Sequence, residues 1–575
     1  MTQLIRHPYR DLEHWDSKLH PVLKQVLARR GIEHDALLDK QLSSLLPPNA
    51  LHHIDAAVAI LLKALENQSR IIIVGDFDAD GATSTALLMS ALPQFGFLNV
   101  DFIVPDRFRY GYGLSCEIVD LVAQHGCDLI ITVDNGISSI DGVDHANSLG
   151  MQVLVTDHHL PGDQIPNAAA IVNPNQRACE FPSKNLAGVG VAFYLVVALR
   201  AAMRSSGLFE SKRIAIPNLS QCLDLVALGT VADVVSLDEN NRILVEHGLQ
   251  RIRSGRARAG IQALIDVAKR ESHRLVASDL GFAIGPRLNA VGRLDDMALG
   301  IECLICNDVY KAREYASEMD SLNAERKTIE KGMQHEAEAF VATINFEQSA
   351  LPKALSLYQS DWHQGVVGLV ASRIKEKFHR PVFAFADGEN GDLKGSGRSV
   401  PGVHLRDLLE RIDTQNPGLI AKYGGHAMAA GLSLKQGDFE RFQEQLRVHS
   451  EQFIDEQSLS HSIYSDGELP VELLNLDFAE KIRALGPWGQ GFAEPIFDGV
   501  FQLRAQRVVG QSHLKLSVSS ALAPQLQLDA IAFNVDREIW PNASVQLARL
   551  VYKLDINEFR GRRSVQLLIE SLEPA

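Results

Sequence analysis

The run Ile71-Ile72-Ile73-Val74-Gly75-Asp76-Phe77-Asp78-Ala79-Asp80-Gly81 places four consecutive apolar residues directly before three alternating aspartates. Four to eight apolar residues closed by glycine read as a strand buried on both faces. The pattern then repeats. Leu129–Val133 runs into Asp134-Asn135-Gly136, and Val153–Val155 runs through Thr156 into Asp157-His158-His159. Ala170–Val172 is a fourth such run. Helical patterns over Thr83–Leu92 and Leu186–Ala202 lie between them. Strands alternating with helices predict a parallel sheet covered on both faces, and in such sheets ligands gather beyond the carboxyl ends of the strands. The aspartates and histidines should therefore converge from separate loops.

Converging carboxylates repel one another, and shared divalent cations are the usual remedy. Mixed carboxylate and imidazole donors suit Mn²⁺, and also Mg²⁺ when water and substrate oxygens complete its shell. Two such ions about 3.5–4 Å apart would serve phosphoryl chemistry. Asp-x-Asp-x-Asp-Gly also opens a calcium-binding EF-hand loop, but the twelfth position counted from Asp76 is Leu87, where that loop needs glutamate. Each aspartate alone could cap a helix or turn. The whole set at successive strand ends is better explained by metal.

Around this core the chain divides into five stretches. Residues 1–55 form a helical lead-in, 56–307 the metal-binding α/β domain, and 308–345 a long exposed helix rich in Ala, Glu, Lys and Met. A second α/β region covers 346–455, and alternating strands such as Val545–Tyr552 fill 456–575. The fold class is multidomain α/β with a C-terminal β-barrel. A length of 575 residues exceeds one hydrophobic core, and 46% hydrophobic with 22% charged residues is ordinary for a globular chain. No apolar run approaches the roughly 20 residues that span a bilayer. Met1–Pro8 lacks the apolar stretch of a secretory signal, and six cysteines make no disulfide framework. A cytoplasmic location is expected. A net charge of −15 argues against nonspecific coating of duplex DNA, although a local basic groove can still guide a phosphate chain. Cys303-x-x-Cys306 has no second pair nearby and is not expected to hold zinc.

The ordered motifs carry a family resemblance. Asp157-His158-His159, the Asp-x-Asp loop and Val133-Asp134-Asn135-Gly136 resemble the DHH phosphoesterase superfamily, and Gly229-Thr230-Val231-Ala232-Asp233-Val234-Val235 resembles its fourth motif. Gly285–Ala290, Trp362–Gly368, Gly395–Ser399 and Gly424–Ala427 narrow the likeness to its bacterial single-strand-specific 5′→3′ exonuclease branch. The likeness implies that Asp78, Asp80, Asp134, His158 and Asp233 hold the metals. Superfamily members often carry a histidine four residues before the first aspartate of Asp-x-Asp, where this chain has Val74. Asp76 is thus a further candidate ligand. His159 stays open between ligand, general acid and supporting residue. With adjacent residues of an extended segment pointing opposite ways, the two histidines need not reach one ion.

The resemblance also assigns substrate contacts. Arg287 and Arg293 are candidates for the scissile phosphate, with Asp134, His158 and His159 doing the chemistry and Asn289 beside them on the strand. Arg107 and Tyr112 should lie near the catalytic entrance. Arg398 and Ser396, in a glycine-rich turn, suit a terminal phosphate, as does His426. Phe559, Arg560 and Arg562 around a hairpin turn at Gly561 suit a strand crossing an oligonucleotide-binding barrel. Val367, Val370, Ile374 and Phe378 have helical spacing and read as core. Arg251, Arg253, Arg256 and Arg258 read as a solvated helix face.

The implied activity is degradation of single-stranded DNA from its 5′ end to 5′-mononucleotides, in repair and recombination, by a monomer using two ions of Mn²⁺ or Mg²⁺. A single-strand-binding protein and a helicase are the implied partners. One rival is a small-substrate phosphoesterase acting on oligoribonucleotides or cyclic dinucleotides, which needs no extended β-rich platform. Another is a non-catalytic single-strand-binding scaffold, which would be expected to have lost ligands.

Overall fold

The computed structural model describes residues 3–106, 110, 112–343, 351–388, 391–425, 427–460, 462–510, 512–520, 523–559 and 561–575. The chain forms two compact units, one of Ile5–Asp320 with Tyr464–Ala575, the other of Met1–Leu4 with Ser321–Ile463.

The larger unit is built on five parallel strands: β1 (Ile71–Gly75), β2 (Val100–Ile103), β3 (Leu129–Val133), β4 (Gln152–Thr156) and β5 (Ala170–Val172). Their order is β2-β1-β3-β4-β5. Every residue of β1, β3 and β5 is buried, as expected of strands covered on both faces. On one face Ile72, Val74, Ile130 and Val155 pack with Ile118, Val122 and Val143. The other face is covered by α1 (Ala79–Ala91) and α2 (Gly188–Ser205), with α3 (Leu223–Ala232) packed on α1. Each fully buried aliphatic side chain contributes about 1.5–3 kcal/mol, so the strand ends that carry the aspartates stand on a rigid base. Chain order reverses between β1 and β3, which makes their carboxyl ends the expected crevice. Helix α2 alone among the described helices is long and apolar enough to cross a membrane, and 61% of its span is buried inside the protein. Further on, α4 (Gly285–Leu294) returns toward the same end of the sheet.

Helix α5 (Val309–Thr343) was expected to be exposed. Instead Ala312, Ala316, Met319, Asn323, Arg326, Glu330, Met333 and Ala337 form a buried stripe. Their three- and four-residue spacing is that of an amphipathic face. Within the stripe Arg326 bonds Asn323 at 3.1 Å and Glu330 at 3.3 Å, and Arg373 reaches Glu330 at 2.9 Å.

In the smaller unit β6 (Leu355–Tyr358), β7 (Val382–Asp387), β8 (Asp392–Arg398), β9 (Lys422–Gly425) and β10 (Ala429–Lys435) form one sheet in the order β9-β10-β8-β7-β6. Only β6 and β7 are parallel. The helix Val367–Phe378 buries Val367, Val370 and Ile374 and half-buries Phe378, as its spacing predicted.

The C-terminal strands β11 (Phe497–Val509), β12 (His513–Ser520), β13 (Ala523–Ala532), β14 (Leu547–Phe559) and β15 (Arg562–Pro574) close into a barrel. Leu23 and Val26, from the N-terminal helix Pro21–Ala28, share the barrel's core with Phe497, Leu514 and Tyr552. The lead-in otherwise holds a short strand, Gln3–Arg6, and 3₁₀ turns at Asp35–Leu38, Leu42–Ser44 and Pro48–Ala50 joined by irregular chain. The predicted hairpin is present, with Phe559 paired to Arg562 and Gly561 at φ +75°.

Of the arginine run Arg256 is exposed, but the other three are not a solvated face. Arg251 and Arg258 fold onto the fully buried Asp224 at 3.6 and 3.3 Å, and the Arg253 Nε donates to the Leu275 carbonyl. A buried carboxylate needs such partners.

Candidate metal centre and strand-binding residues

Asp78 is the N-cap of α1. Its Oδ1 accepts from the Asp80 and Gly81 amides at 2.9 and 3.1 Å, which starts the helix earlier than the apolar pattern suggested and puts Asp80 in its first turn. Asp80 is buried and accepts from the Gly188 and Val189 amides at 2.6 and 2.9 Å, the open N–H groups at the start of α2. Burial first, and then the charge of Asp78, pushes the Asp80 carboxyl up to about 7. Asp134 follows β3 in left-handed backbone, φ +61°, and its amide donates to the Thr156 carbonyl at 3.0 Å. Asp233 ends α3. Burial, reinforced by the neighbouring aspartates, raises both the Asp134 and Asp233 carboxyls well above the usual range.

Adjacent histidines on an extended segment need not reach one ion, yet the His158 and His159 rings lie 4.6 Å apart. The cause is Asp157. Its Oδ1 accepts from both the His158 and His159 amides, at 2.7 and 3.0 Å, and so bends the segment out of extended form. Oδ2 accepts from the Ile137 amide at 2.9 Å. The same Oδ1 lies 2.8 Å from the His159 Nδ1. Burial works against a charged His159, but the Asp157 hydrogen bond and charge outweigh it and raise the imidazole to about 9. The His158 Nε2 stands 3.1 Å from Asp134, 3.6 Å from Asp233 and 3.9 Å from Asp80.

Three overlapping sets have donor atoms within 4.8 Å of one another: Asp76 with Asp78 and Asp134, Asp80 with His158 and Asp233, and Asp134 with His158 and His159. Buried carboxylates held high by mutual repulsion, with imidazole among them, are the donor chemistry of a divalent transition-metal or Mg²⁺ site. The residues fit such ions.

Several supporting groups were missed by sequence reading. The side-chain amides of Asn173 and Asn175 donate to the His159 and His158 carbonyls, and Asn135 bonds the Val74 and Val133 carbonyls. Gly292 in α4 passes so close to the aspartate loop that a Cβ there would overlap the Phe77 carbonyl. Only the Gly–Asx composition around the motifs hinted at these roles.

Of the expected substrate contacts, Asn289 places its Oδ1 on the Ala79 amide at 2.8 Å, bracing the aspartate loop. Arg287 is held by Asp320 at 2.7 Å and by the Ala283 carbonyl. Arg293 lies in the last turn of α4. Tyr112 is half exposed, yet its hydroxyl donates to the Asp134 carbonyl at 2.9 Å and lies 3.1 Å from the His159 Nδ1. Arg107, His426 and Arg560 lie outside the described residues, as does the side chain of Phe559. Arg562 is exposed.

Gly395–Ser399 is not a turn; Gly395 to Arg398 lie on β8. Gly395 and Gly397 make room for the Phe385 and Phe383 rings, where a Cβ would collide. Arg398 is largely buried, which lowers its pKa, and its Nη1 donates to the Ser396 Oγ at 3.0 Å and the Gly397 carbonyl at 2.8 Å. Among the described residues no carboxylate pairs with it. A partly buried guanidinium with no carboxylate partner among the described residues is chemically suited to an anion.

A cleft of about 1210 Å³ lies elsewhere. It lies between the barrel and the Val234–Phe282 stretch, and its cations are largely neutralised: Arg253 by Glu246, Arg270 by Asp279, Arg483 by Asp555, Arg563 by Glu480. The candidate metal donors lie at the strand ends instead.

Aspartates and a histidine pair at the carboxyl ends of a parallel sheet define a DHH-type phosphoesterase. Family models agree: the DHH family N-terminal domain matches residues 70–230, the DHHA1 domain 349–449 and the RecJ OB domain 465–571. The single-stranded-DNA-specific exonuclease RecJ of Escherichia coli is 53% identical over 572 residues, covering 100% of this chain and 99% of that protein. Its counterpart from Dickeya dadantii is 55% identical over 574 residues, again covering 100% and 99%. A crystal structure of RecJ from Thermus thermophilus in complex with Mn²⁺ aligns with a TM-score of 0.81 at 28% identity, covering 99% of this chain and 79% of that one. The chain belongs to the RecJ family of single-stranded-DNA-specific exonucleases.

Proposed function

We propose that the protein hydrolyses single-stranded DNA from the 5′ end, releasing 5′-mononucleotides in DNA repair and recombination. The observations that carry this reading are a buried Asp/His centre and a partly buried arginine with which, among the described residues, no carboxylate pairs. Asp80, His158 and Asp233 would hold one divalent ion and Asp76, Asp78 and Asp134 a second, Mn²⁺ or Mg²⁺. When bound, such ions activate water and neutralise charge on the phosphate oxygens.

The chain's own residues supply the rest. Water attacks the phosphorus between the first two nucleotides and the bond to the 3′ oxygen of the first breaks. The remaining strand then begins with a new 5′-phosphate. Arg398 and Ser396, with His426, receive that phosphate, so each cycle regenerates its own recognition group. Asp157 fixes the His159 ring through Nδ1, leaving its other nitrogen to hold or pass a proton. Arg287 and Arg293 steady the scissile phosphate. Arg107, Tyr112, Asn289, Phe559, Arg560 and Arg562 guide the strand, Tyr112 from its anchor on the Asp134 carbonyl.

The work is divided along the chain: a lead-in (1–55), the metal domain (56–307), the long helix (308–345), the end-binding domain (346–455) and the barrel (456–575). Cytoplasmic location, action as a monomer, and cooperation with a single-strand-binding protein and a helicase complete the proposal and rest on the family resemblance. Neither rival reading gains support. The barrel is an extended platform that a small substrate does not need, and all the candidate ligands are present.

A duplex with either a 5′ or a 3′ single-stranded tail tests the reading. The 5′-tailed strand should shorten in Mn²⁺ while the blunt duplex persists. Equal attack on the 3′-tailed or blunt duplex would overturn it.

A further inference from the structure

Asp233 closes α3, and five residues later Asp238 caps the helix Glu239–Arg253. The connection between them begins with Val234 in left-handed backbone, φ +63°, and Val234 is 62% exposed. A carboxylate followed by such a segment needs external support if it is to keep its place.

Support comes from two sides. From within the metal domain the Asn241 Nδ2 donates to the Ser236 carbonyl at 2.9 Å and to the Asn185 carbonyl at 2.6 Å, and Ser183 and Asn185 donate to Asp238. From the C-terminal region comes the turn Gly489-Gln490-Gly491-Phe492. The Leu237 amide donates to the Gln490 carbonyl at 2.7 Å. Gly491, at φ +70°, approaches so closely that a Cβ would lie 2.9 Å from the Ser236 Cβ and 3.4 Å from its Cα. A Cβ on Gly489 would lie 2.7 Å from the Leu237 Cδ1. The Arg242 guanidinium sits 4.3 Å from the centre of the Phe492 ring. Trp488 stacks on that ring at 4.7 Å and 13°, and its Nε1 donates to the Ile482 carbonyl at 3.0 Å.

We propose that the Gly489–Phe492 turn is a positioning element for Asp233, through which the C-terminal region sets the affinity of the metal centre. Among the described residues, no hydrogen bond or ring contact joins the turn to a candidate ligand. It fixes the backbone three and four residues beyond Asp233, whose Oδ2 stands 3.6 Å from the His158 Nε2. The inference rests on Asp233 being a metal-holding residue.

The experiment measures Mn²⁺ binding to the full-length protein, by calorimetry and by the paramagnetic signal of free Mn²⁺. Gly491→Ala inserts the Cβ against Ser236 and should weaken the Asp233-containing site about 10-fold, at the lower end of what supporting residues contribute to metal affinity. Gly510→Ala is the control, because it places alanine at φ +65° in the β11–β12 hairpin with no link to Asp233. It should stay within about twofold of wild type, well below the effect of a lost supporting contact. Ser236→Gly added to Gly491→Ala removes the colliding Cβ and should recover part of the affinity. If Gly491→Ala fails to fold, Phe492→Leu, which removes the ring beneath Arg242, carries the same expectation. Mn²⁺ binding unchanged in the folded turn variants, or lowered equally by Gly510→Ala, would overturn the positioning role. Asp233→Asn separates the two failures. If it leaves Mn²⁺ binding intact, the ligand assignment of Asp233 is wrong. If it weakens binding while the turn variants do not, only the inference is wrong.

Discussion

Arg398→Ala should selectively harm strands that carry a 5′-phosphate. The guanidinium is largely buried, donates only to the Ser396 hydroxyl and the Gly397 carbonyl, and has no carboxylate partner among the described residues. Its charge is therefore available to an anion that enters the site. A terminal phosphate carries more negative charge than an internal diester, so the pair distinguishes an end from a middle. Losing one charge-assisted hydrogen bond costs about 1.5–3 kcal/mol. That corresponds to roughly 10- to 150-fold in kcat/KM on 5′-phosphorylated strands. A 5′-hydroxyl strand lacks the partner and should lose much less. Arg398→Lys keeps the charge without the planar fork and should fall between the two. The assay is steady-state hydrolysis of one oligonucleotide prepared with each end. Equal losses on both ends would place Arg398 at the scissile phosphate or in the fold, and end recognition would have to lie elsewhere.

Asp134→Ala should abolish cleavage while leaving most single-strand binding, since removing a negative charge does not weaken phosphate contacts elsewhere. Retention of more than about a tenth of wild-type kcat, a loss below about 1.4 kcal/mol, would remove Asp134 from the catalytic set. A second outcome concerns pH. Asp80 moves from 3.8 unfolded to about 7 folded, and Asp134 and Asp233 are raised as well. Across that interval the unfolded chain has released protons that the folded site still holds, so the metal-free protein should lose stability as pH rises from 3.8 toward 7. His159, moved from 6.5 to about 9, extends the loss upward. Thermal unfolding in chelator should show the Tm falling with pH, and Mn²⁺ should flatten the slope. A metal-free Tm that climbs over this range would contradict the electrostatics.

What could be read in advance follows the range of the interactions. Leu129–Val133 and Ala170–Val172 form strands at the expected residues, because an apolar run closed by a breaker is a local signal. The convergence of Asp76, Asp134 and His158 followed from strand-end logic alone. Local competition hid more. The N-cap role of Asp78 started α1 early, and Asp157 turned two histidines toward each other that alternation would have separated. The glycines beside Arg398 resembled a turn, whereas their neighbours across the sheet are phenylalanine rings. Long-range contacts left no trace. Asp224 claims Arg251 and Arg258, and Leu23 and Val26 join a barrel core built from the far end of the chain. The buried stripe of α5 was present in its spacing but obscured by its charged composition.

The central claim is metal-dependent removal of nucleotides from the 5′ end of single strands, and digestion of one strand labelled at either end tests it most directly. With Mn²⁺, the 5′ label should appear as mononucleotide at the earliest times while the 3′-labelled strand shortens progressively, and chelator should stop both. Early release of the 3′ label, or cleavage that persists in chelator, would contradict it.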